Sequence, residues 1–278
     1  MLAAFLALGA SVSWGVADFL GGLKSRQIRV LTVIAIAQPV GLSAMAVAVV
    51  IAGDGPQTRA VLWAAPAALL GTLGIAAFYR GMAVGSMSIV APVAATGAVI
   101  PVVVGIATGE RPTAVQLAGF PVAIGGAVLA SREAPGELGS SRVAAGVPWA
   151  LLAAAGFGAY FVPMHAASED DFLWAAFVFR LSAALIVLAA VAVTRPSLRV
   201  SGRDAVGIGV IGILDSGGNF LFAAAASQGL VSVTSMLASL YPVTTVALAW
   251  LYLRERIDAT QALGVAAALA GVVLISAG

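Results

Sequence analysis

The sequence predicts an all-α polytopic membrane protein in which ten transmembrane helices form two inverted five-helix repeats around a central cavity. Three observations predict this fold: an apolar composition, ten apolar runs of membrane-crossing length, and an internal repeat. Hydrophobic residues make up 61% of the chain and charged residues 9%, with a mean hydropathy of +1.06. A soluble domain carries about 25% charged residues because its surface must stay hydrated. Most of this protein's surface must therefore face lipid.

The ten apolar runs set the expected positions of the helices. Crossing a hydrocarbon core of about 30 Å takes about 20 apolar residues, and a helix satisfies its own backbone hydrogen bonds there. No basic region precedes the first run, so we expect a retained helix rather than a cleaved signal peptide. The predicted spans are residues 2–23, 30–52, 60–83, 87–108, 113–131, 143–165, 172–193, 204–228, 231–252 and 258–277.

The two halves of the chain resemble each other. Residues 110–119 (ERPTAVQLAG) align with residues 255–264 (ERIDATQALG) at an offset of 145. We therefore expect one repeat over 1–131, a polar linker over 132–142 and a second repeat over 143–278. Because each repeat holds an odd number of helices, the second enters the membrane from the opposite side, as in many alternating-access transporters.

The basic residues beside the spans predict the orientation. Ten lie in odd-numbered loops and two in even-numbered loops, which places both termini outside the cytoplasm by the positive-inside rule. The ten are Lys24, Arg26, Arg29, Arg132, Arg142, Arg195, Arg199, Arg203, Arg254 and Arg256, and the two are Arg59 and Arg111.

The composition also excludes several classes of function. The chain has no cysteine and one histidine, which excludes thiolate chemistry and multi-histidine metal sites. A net charge of +2 gives no case for a nucleic-acid partner. No phosphate-binding glycine loop of the ATPase type is present, so ATP does not drive this chain. We expect no cofactor and no metal.

Polar side chains within the spans mark the predicted site, because lipid makes them costly. Asp18 lies four residues after Trp14 on one helix face. Its carboxylate could bind a cationic substrate group or carry a proton; a structural charge near the helix end is the alternative. Asp215 and Asn219 have the same spacing in the eighth span, where Asp215 is the second candidate for proton coupling. The alternative is a buried acid bonded to a neighbouring helix.

Two further features surround these acids. Gly217 and Gly218 are expected to weaken the eighth helix and leave backbone groups available for a site. Arg180 lies too deep in the seventh span to reach the headgroups easily. Its partner is either a structural acid, Asp215 or Asp18, or an anionic group of the substrate.

Aromatic and small polar side chains complete the predicted cavity, although each could serve plain packing instead. They are Trp14, Phe78, Tyr79, Phe157, Tyr160, Phe161, Phe220, Ser239 and Tyr241.

Other functions are weighed against transport. An intramembrane enzyme could use Asp18 and Asp215 as an aspartyl pair sharing a proton, and the distance between the acids would decide. The serine-hydrolase elbow and the zinc-protease motif are both missing from the sequence. A facilitator or channel would use the same cavity without coupling, although no repeated charge ring typical of channels is present.

The motifs together resemble the drug/metabolite transporter superfamily, specifically its ten-helix EamA-like transporters. The resemblance rests on Trp14-Gly15, on the two Glu-Arg motifs that begin at Glu110 and Glu255, on Pro242, and on the Phe-x-x-Arg stretch that ends at Arg180. The first half departs from the pattern, since Gly97 stands where a proline is expected and Pro101 follows one turn later.

The resemblance implies a secondary transporter, often an exporter, in a bacterial inner membrane. The implied partners are the lipid bilayer and a small-molecule substrate such as an amino acid, another metabolite or a drug, with the proton as a candidate coupling ion and a monomer as a plausible state. Members are commonly described with cytoplasmic termini, which conflicts with the loop charges; we retain the orientation based on charge.

Overall fold

The computed structural model describes residues 2–52, 55, 58–109, 111, 113–130, 145–254 and 259–276, and these residues are helical apart from short connections. The helices are α1 (Leu2–Ser25), α2 (Val30–Ala52), α3 (Thr58–Val84), α4 (Met87–Ala95), α5 (Val99–Ala107), α6 (Ala114–Ala130), α7 (Val147–Ser168), α8 (Phe172–Thr194), α9 (Gly202–Ala226), α10 (Val231–Ala238), α11 (Tyr241–Leu248) and α12 (Ala259–Ser276). A 3-10 turn, Thr96–Ala98, joins α4 to α5, and a π-helical turn, Ala249–Leu253, extends α11.

Seven of these segments are long and apolar enough to cross a membrane: α1, α2, α3, α4 with α5, α7, α8 and α9. Three shorter apolar helices lie over Leu117–Gly126, Tyr241–Leu253 and Ala262–Gly271. Large apolar side chains such as Val50 and Val193 are about 80% exposed on the outside of the bundle. Such a surface needs an apolar solvent, so the protein is an integral membrane protein.

Two of the predicted spans are broken, and in each the break lies just before a proline. A proline removes the backbone hydrogen bond to the residue four positions earlier and crowds its carbonyl. Four residues before Pro101 is Gly97, within the 3-10 turn, and four before Pro242 is Ala238, the last residue of α10. In the fourth span the interruption is a single 3-10 turn.

Other prolines do not interrupt their helices. Pro92 lies within α4 and Pro163 within α7, and both helices continue past them. A proline alone therefore does not end a helix of this bundle. Neighbouring helices re-satisfy freed backbone groups, so a proline in a membrane helix is tolerated where packing favours a continuous helix.

Helices α6 and α12 lie against each other at a glycine contact. A side-chain carbon placed on Gly126 would overlap the backbone of Ala268, and one on Gly271 would overlap that of Ala123. Small residues at such a crossing let helix backbones approach closely in lipid.

Replacing Gly126 with alanine is therefore expected to destabilise the protein by about 1–3 kcal/mol, the usual cost of overpacking. Gly125 provides the matched control, because a Cβ there would meet nothing within 4 Å. We expect the Gly125→Ala protein to unfold at or slightly above the wild-type temperature, since alanine is the better helix former. Thermal unfolding in detergent measures both variants, and equal unfolding temperatures would contradict the assigned contact.

Candidate functional site: a charged cavity inside the bundle

A cavity with about 70 Å³ of space for water-sized groups lies among helices α1, α2, α3, α7, α8, α9 and α11. Nine of the thirteen residues predicted for the site line it: Trp14, Asp18, Phe157, Tyr160, Phe161, Arg180, Asp215, Asn219 and Tyr241. The sequence reasoning missed six further lining residues: Gln38, Gly71, Thr72, Ile75, Phe179 and Ala183.

Two of the predicted aromatic residues lie behind the cavity wall. Phe78 is fully buried and makes edge-to-face contacts with Phe157 and Tyr241, at centroid distances of 5.5 and 5.9 Å. Tyr79 covers Gly21 of α1, in the space that a larger residue at position 21 would occupy. Both therefore support lining residues or neighbouring helices, and the prediction that they line the cavity is corrected.

Phe220 and Ser239 also lie outside the lining. The Phe220 ring packs on Phe172 at the start of α8, with ring centroids 5.6 Å apart. The Ser239 hydroxyl donates to the carbonyl oxygen of Ser235 at 2.7 Å, one turn back along the chain. Hydroxyls in membrane helices commonly satisfy themselves in this way, so Ser239 contributes no free group to the cavity.

Arg180 provides the cavity's positive charge. It is 2% exposed, and its Nη1 donates to Asp215 Oδ2 at 2.7 Å and to Gln38 Oε1 at 3.0 Å. The Asp215 side chain is 26% exposed, so the pair lies at the cavity wall with the guanidinium behind the carboxylate. The sequence left two kinds of partner open for Arg180, a structural acid or an anionic group of the substrate. In the structure Arg180 pairs with a structural acid, Asp215. Burying the guanidinium is tolerable because the charge is paired and hydrogen-bonded.

Gln38 joins α2 to this network. It is 6% exposed and lies directly before Pro39, in the middle of an otherwise apolar helix. A buried amide in a membrane span is itself a signal of function or of a polar partner, and this signal could have been used. Its partner could not be found from the sequence, because Gln38 and Arg180 are 142 residues apart.

Asn219 links α9 to α7 by hydrogen bonds, at the helical turn of α9 that carries Asp215. Its Nδ2 donates to the Asp215 carbonyl oxygen at 2.8 Å, and its Oδ1 accepts from the Tyr160 hydroxyl at 2.9 Å. The helix is continuous through Gly217 and Gly218, which corrects the expected weakening. A Cβ on Gly218 would lie 2.5 Å from Trp14 Cδ1, so this glycine makes room for the indole ring instead.

Asp18 is the second acid of the cavity. It is 5% exposed in α1, and its carboxylate makes no hydrogen bond to a side chain in the described part of the protein. It is not hydrogen-bonded to Asp215, which is occupied by Arg180. A shared-proton pair of carboxylates requires direct contact, so the arrangement does not support aspartyl-type hydrolysis.

An apolar helix bundle with a buried, charged cavity defines the class of integral membrane transport proteins. The sequence then gives the family. The chain belongs to the EamA-like transporter family, whose model matches residues 1–132 and again 144–277. Members of this family, part of the drug/metabolite transporter superfamily, are transporters and not enzymes, so the protein is a membrane transporter of that superfamily.

The fold is also similar to that of a solved structure titled "Crystal structure of protein". The two share 16% sequence identity with a TM-score of 0.70, over 99% of this chain and 98% of the other. At this identity the likeness concerns the fold alone. No curated protein matches the chain in sequence.

Proposed function

We propose that the protein is a secondary transporter that exports small metabolites, such as amino acids, related compounds or drugs, by alternating access to the cavity. The observation that carries the proposal is the presence of two acids, the buried Asp18 and the partly exposed Asp215, beside the buried Arg180 in the middle of an apolar bundle. Ionisable groups inside a membrane are costly and mark substrate or ion pathways. If transport through this cavity is not coupled to the movement of an ion, the protein is a facilitator.

The family model matches the chain twice, once in each half. This supports ten helices arranged as two inverted repeats, over 1–131 and 143–278, with a linker over 132–142. The broken spans support the same duplication, because Gly97 and Pro242 are separated by the offset of 145 that relates the halves. Glu110, residues 255–258 and the linker lie outside the described residues, and their part in the repeat stays a prediction.

Two ion pairs join helices at opposite ends of the bundle, and they support alternating access. Lys24 at the end of α1 is 2.5 Å from Asp204 at the start of α9. Arg59 at the start of α3 pairs with Glu169 after α7 and donates through Nε to the Ala166 carbonyl oxygen at 3.0 Å.

The long helix α3 shows that these pairs are far apart. Arg26, two residues after Lys24, donates to the carbonyl oxygens of Met82 and Gly85 at the other end of α3 from Arg59. The 27 residues of α3 span about 40 Å at 1.5 Å per residue. By the charge-based orientation, the Lys24–Asp204 closure faces the cytoplasm of a bacterial inner membrane and the Arg59–Glu169 closure faces outward.

Crosslinking tests this proposal, because the natural chain has no cysteine. One double variant combines Lys24→Cys with Asp204→Cys, and the other combines Arg59→Cys with Glu169→Cys. Each purified protein is reconstituted in vesicles and treated with a short bis(methanethiosulfonate) crosslinker, which joins the two cysteines through reducible disulfides and releases methanesulfinate. Each crosslink is expected to reduce transport of amino acids by at least tenfold, and reduction is expected to restore it, because a closed end blocks half of the cycle. The single-cysteine proteins are the controls, and undiminished transport in either crosslinked double variant would contradict alternating access.

A further inference from the structure

An arginine lies on the lipid-facing surface of the bundle. Arg80 is exposed near the end of α3, and its side chain makes no hydrogen bond or ion pair to any residue that the structure describes. It continues a stripe of exposed apolar side chains, formed by Leu69, Leu73 and Val84. Positions three or four residues apart, or whole multiples of two turns apart, share one helix face, so all four side chains lie on the outside of α3. Arg80 is therefore a charge on a surface that otherwise suits acyl chains.

The depth of Arg80 decides what its guanidinium meets. Arg80 precedes the last residue of α3 by four positions, which is about 6 Å along the helix axis. An arginine side chain is long enough to carry its charge over that distance to the headgroups, while its stem stays against apolar surface. A charged donor that has left bulk water needs an acceptor. At the level of the headgroups, the acceptor of opposite charge is a phosphate oxygen.

Trp149 marks the same level of the membrane. Its side chain is exposed near the start of α7, and a Cβ placed on Gly81, the residue after Arg80, would lie 3.3 Å from the Trp149 Cβ. Adjoining positions of α3 and α7 therefore bring an arginine and a tryptophan to the outer surface. Tryptophan prefers the membrane interface, because its ring is apolar and its indole N–H is a donor. This pairing suits the headgroup and glycerol region of a lipid.

The charge at this end of the bundle favours an anionic lipid. Arg26 donates to the carbonyl oxygens of Met82 and Gly85, so a second guanidinium is held at the end of α3. By the charge-based orientation this end faces the cytoplasm, and basic groups on that side of a membrane protein typically bind anionic headgroups. In a zwitterionic phospholipid the headgroup ammonium competes with Arg80 for the phosphate. An anionic phospholipid has no such competitor.

We propose that Arg80 and Trp149 form a binding site for one anionic phospholipid, with its phosphate on the paired donors of Arg80 and its glycerol region beside Trp149. The planar guanidinium presents parallel N–H groups that match two phosphate oxygens. The acyl chains follow the stripe of Leu69 and Leu73. The site lies outside the transport cavity, so it goes beyond the proposed function and does not depend on the identity of the substrate.

Other exposed arginines at this end of the bundle differ from Arg80 in position. Arg199 lies in the extended connection between α8 and α9. This connection is at the same end of the bundle, because the Thr32 hydroxyl near the start of α2 donates to the Ser197 carbonyl oxygen at 3.0 Å. Water hydrates a charge in such a connection, so Arg199 adds only a diffuse attraction to an anionic surface. Arg199→Gln is therefore the matched control for Arg80→Gln, since both remove one positive charge from one end.

Lipid titration of the purified full chain tests the proposal. The protein in a neutral detergent is titrated with phosphatidylglycerol or with phosphatidylethanolamine, and native mass spectrometry measures the affinity of the first bound lipid. We expect the wild type to bind phosphatidylglycerol about fivefold more tightly, the usual gain from one arginine at an anionic headgroup. Arg80→Gln should reduce this preference to less than about twofold, and Arg199→Gln should leave it unchanged. Arg80 has no polar protein partner, so its variant should fold, and thermal unfolding checks this.

Two further measurements define the chemistry of the site. Arg80→Lys keeps the charge without the paired donors, so its preference should lie between those of the wild type and Arg80→Gln. Inorganic phosphate in excess should not displace phosphatidylglycerol, because it has no acyl chains to place along α3. Displacement by phosphate would identify a free anion as the ligand and overturn the proposal. An unchanged preference in Arg80→Gln, or an equal loss in Arg199→Gln, would overturn it as well.

Discussion

Asp215→Asn is expected to abolish transport and to destabilise the protein. The substitution leaves Arg180, which is 2% exposed, without a counter-ion inside the bundle. Breaking a buried ion pair by removing one partner costs about 3–5 kcal/mol. We expect about 3 kcal/mol here, because the Asp215 side chain keeps 26% of its surface exposed and asparagine can still accept a hydrogen bond. Thermal unfolding in detergent and transport in vesicles measure the two effects.

A double variant separates the structural role of Asp215 from its role in transport. Combining Asp215→Asn with Arg180→Met removes both charges and replaces the guanidinium with an apolar side chain. Replacing a whole buried pair is often neutral or stabilising, so stability should return to within about 1 kcal/mol of wild type while transport stays absent. A single variant with normal stability and normal transport would show that the ion pair is of no consequence.

Asp18→Asn is expected to reduce transport at least tenfold with the opposite effect on stability. Asp18 is 5% exposed and receives no hydrogen bond from a described side chain. Burying a charged group without a partner costs free energy, and asparagine has almost the same shape without the charge. The variant should therefore unfold at or above the wild-type temperature. If Asp18 carries the coupling proton, the variant's remaining transport should no longer respond to a pH gradient.

The matched control for this variant is Asp171→Asn. Asp171 caps the start of α8, where its Oδ1 accepts from the Trp174 backbone N–H at 3.0 Å, and it lies outside the cavity. Asparagine caps helices about as well as aspartate. Transport should stay within twofold of wild type, and an equal loss in both variants would show that the Asp18 effect is not specific to the cavity.

The positions of the helices could be predicted from the sequence because they depend on local properties. Most described residues of each apolar run are helical, and α2 has the predicted bounds, 30–52. The breaks before Pro101 and Pro242 were harder to predict from the sequence. Pro92 and Pro163 have the same local chemistry and lie in continuous helices, so the packing of neighbouring helices decides which proline interrupts its span.

The site could be predicted in part, for a similar reason. Asp18, Arg180 and Asp215 were found because a charge inside lipid is conspicuous. Aromatic residues give no such signal: Tyr160 lines the cavity, whereas Phe78 and Tyr79 lie behind its wall. Which face of a uniformly apolar helix turns inward depends on its neighbours, and that information is absent from a stretch of sequence taken alone.

The central claim is that this cavity is the path of the substrate, open to each side of the membrane in turn. Ala183 is suited to test it, because it lines the cavity, carries no charge and is 1% exposed. A single cysteine at this position is treated in oriented vesicles with a membrane-impermeant thiol reagent, added to one side at a time. The account predicts labelling from both sides, slowed by a transported substrate; a cysteine that reacts from neither side, or from one side only under every condition, would contradict it.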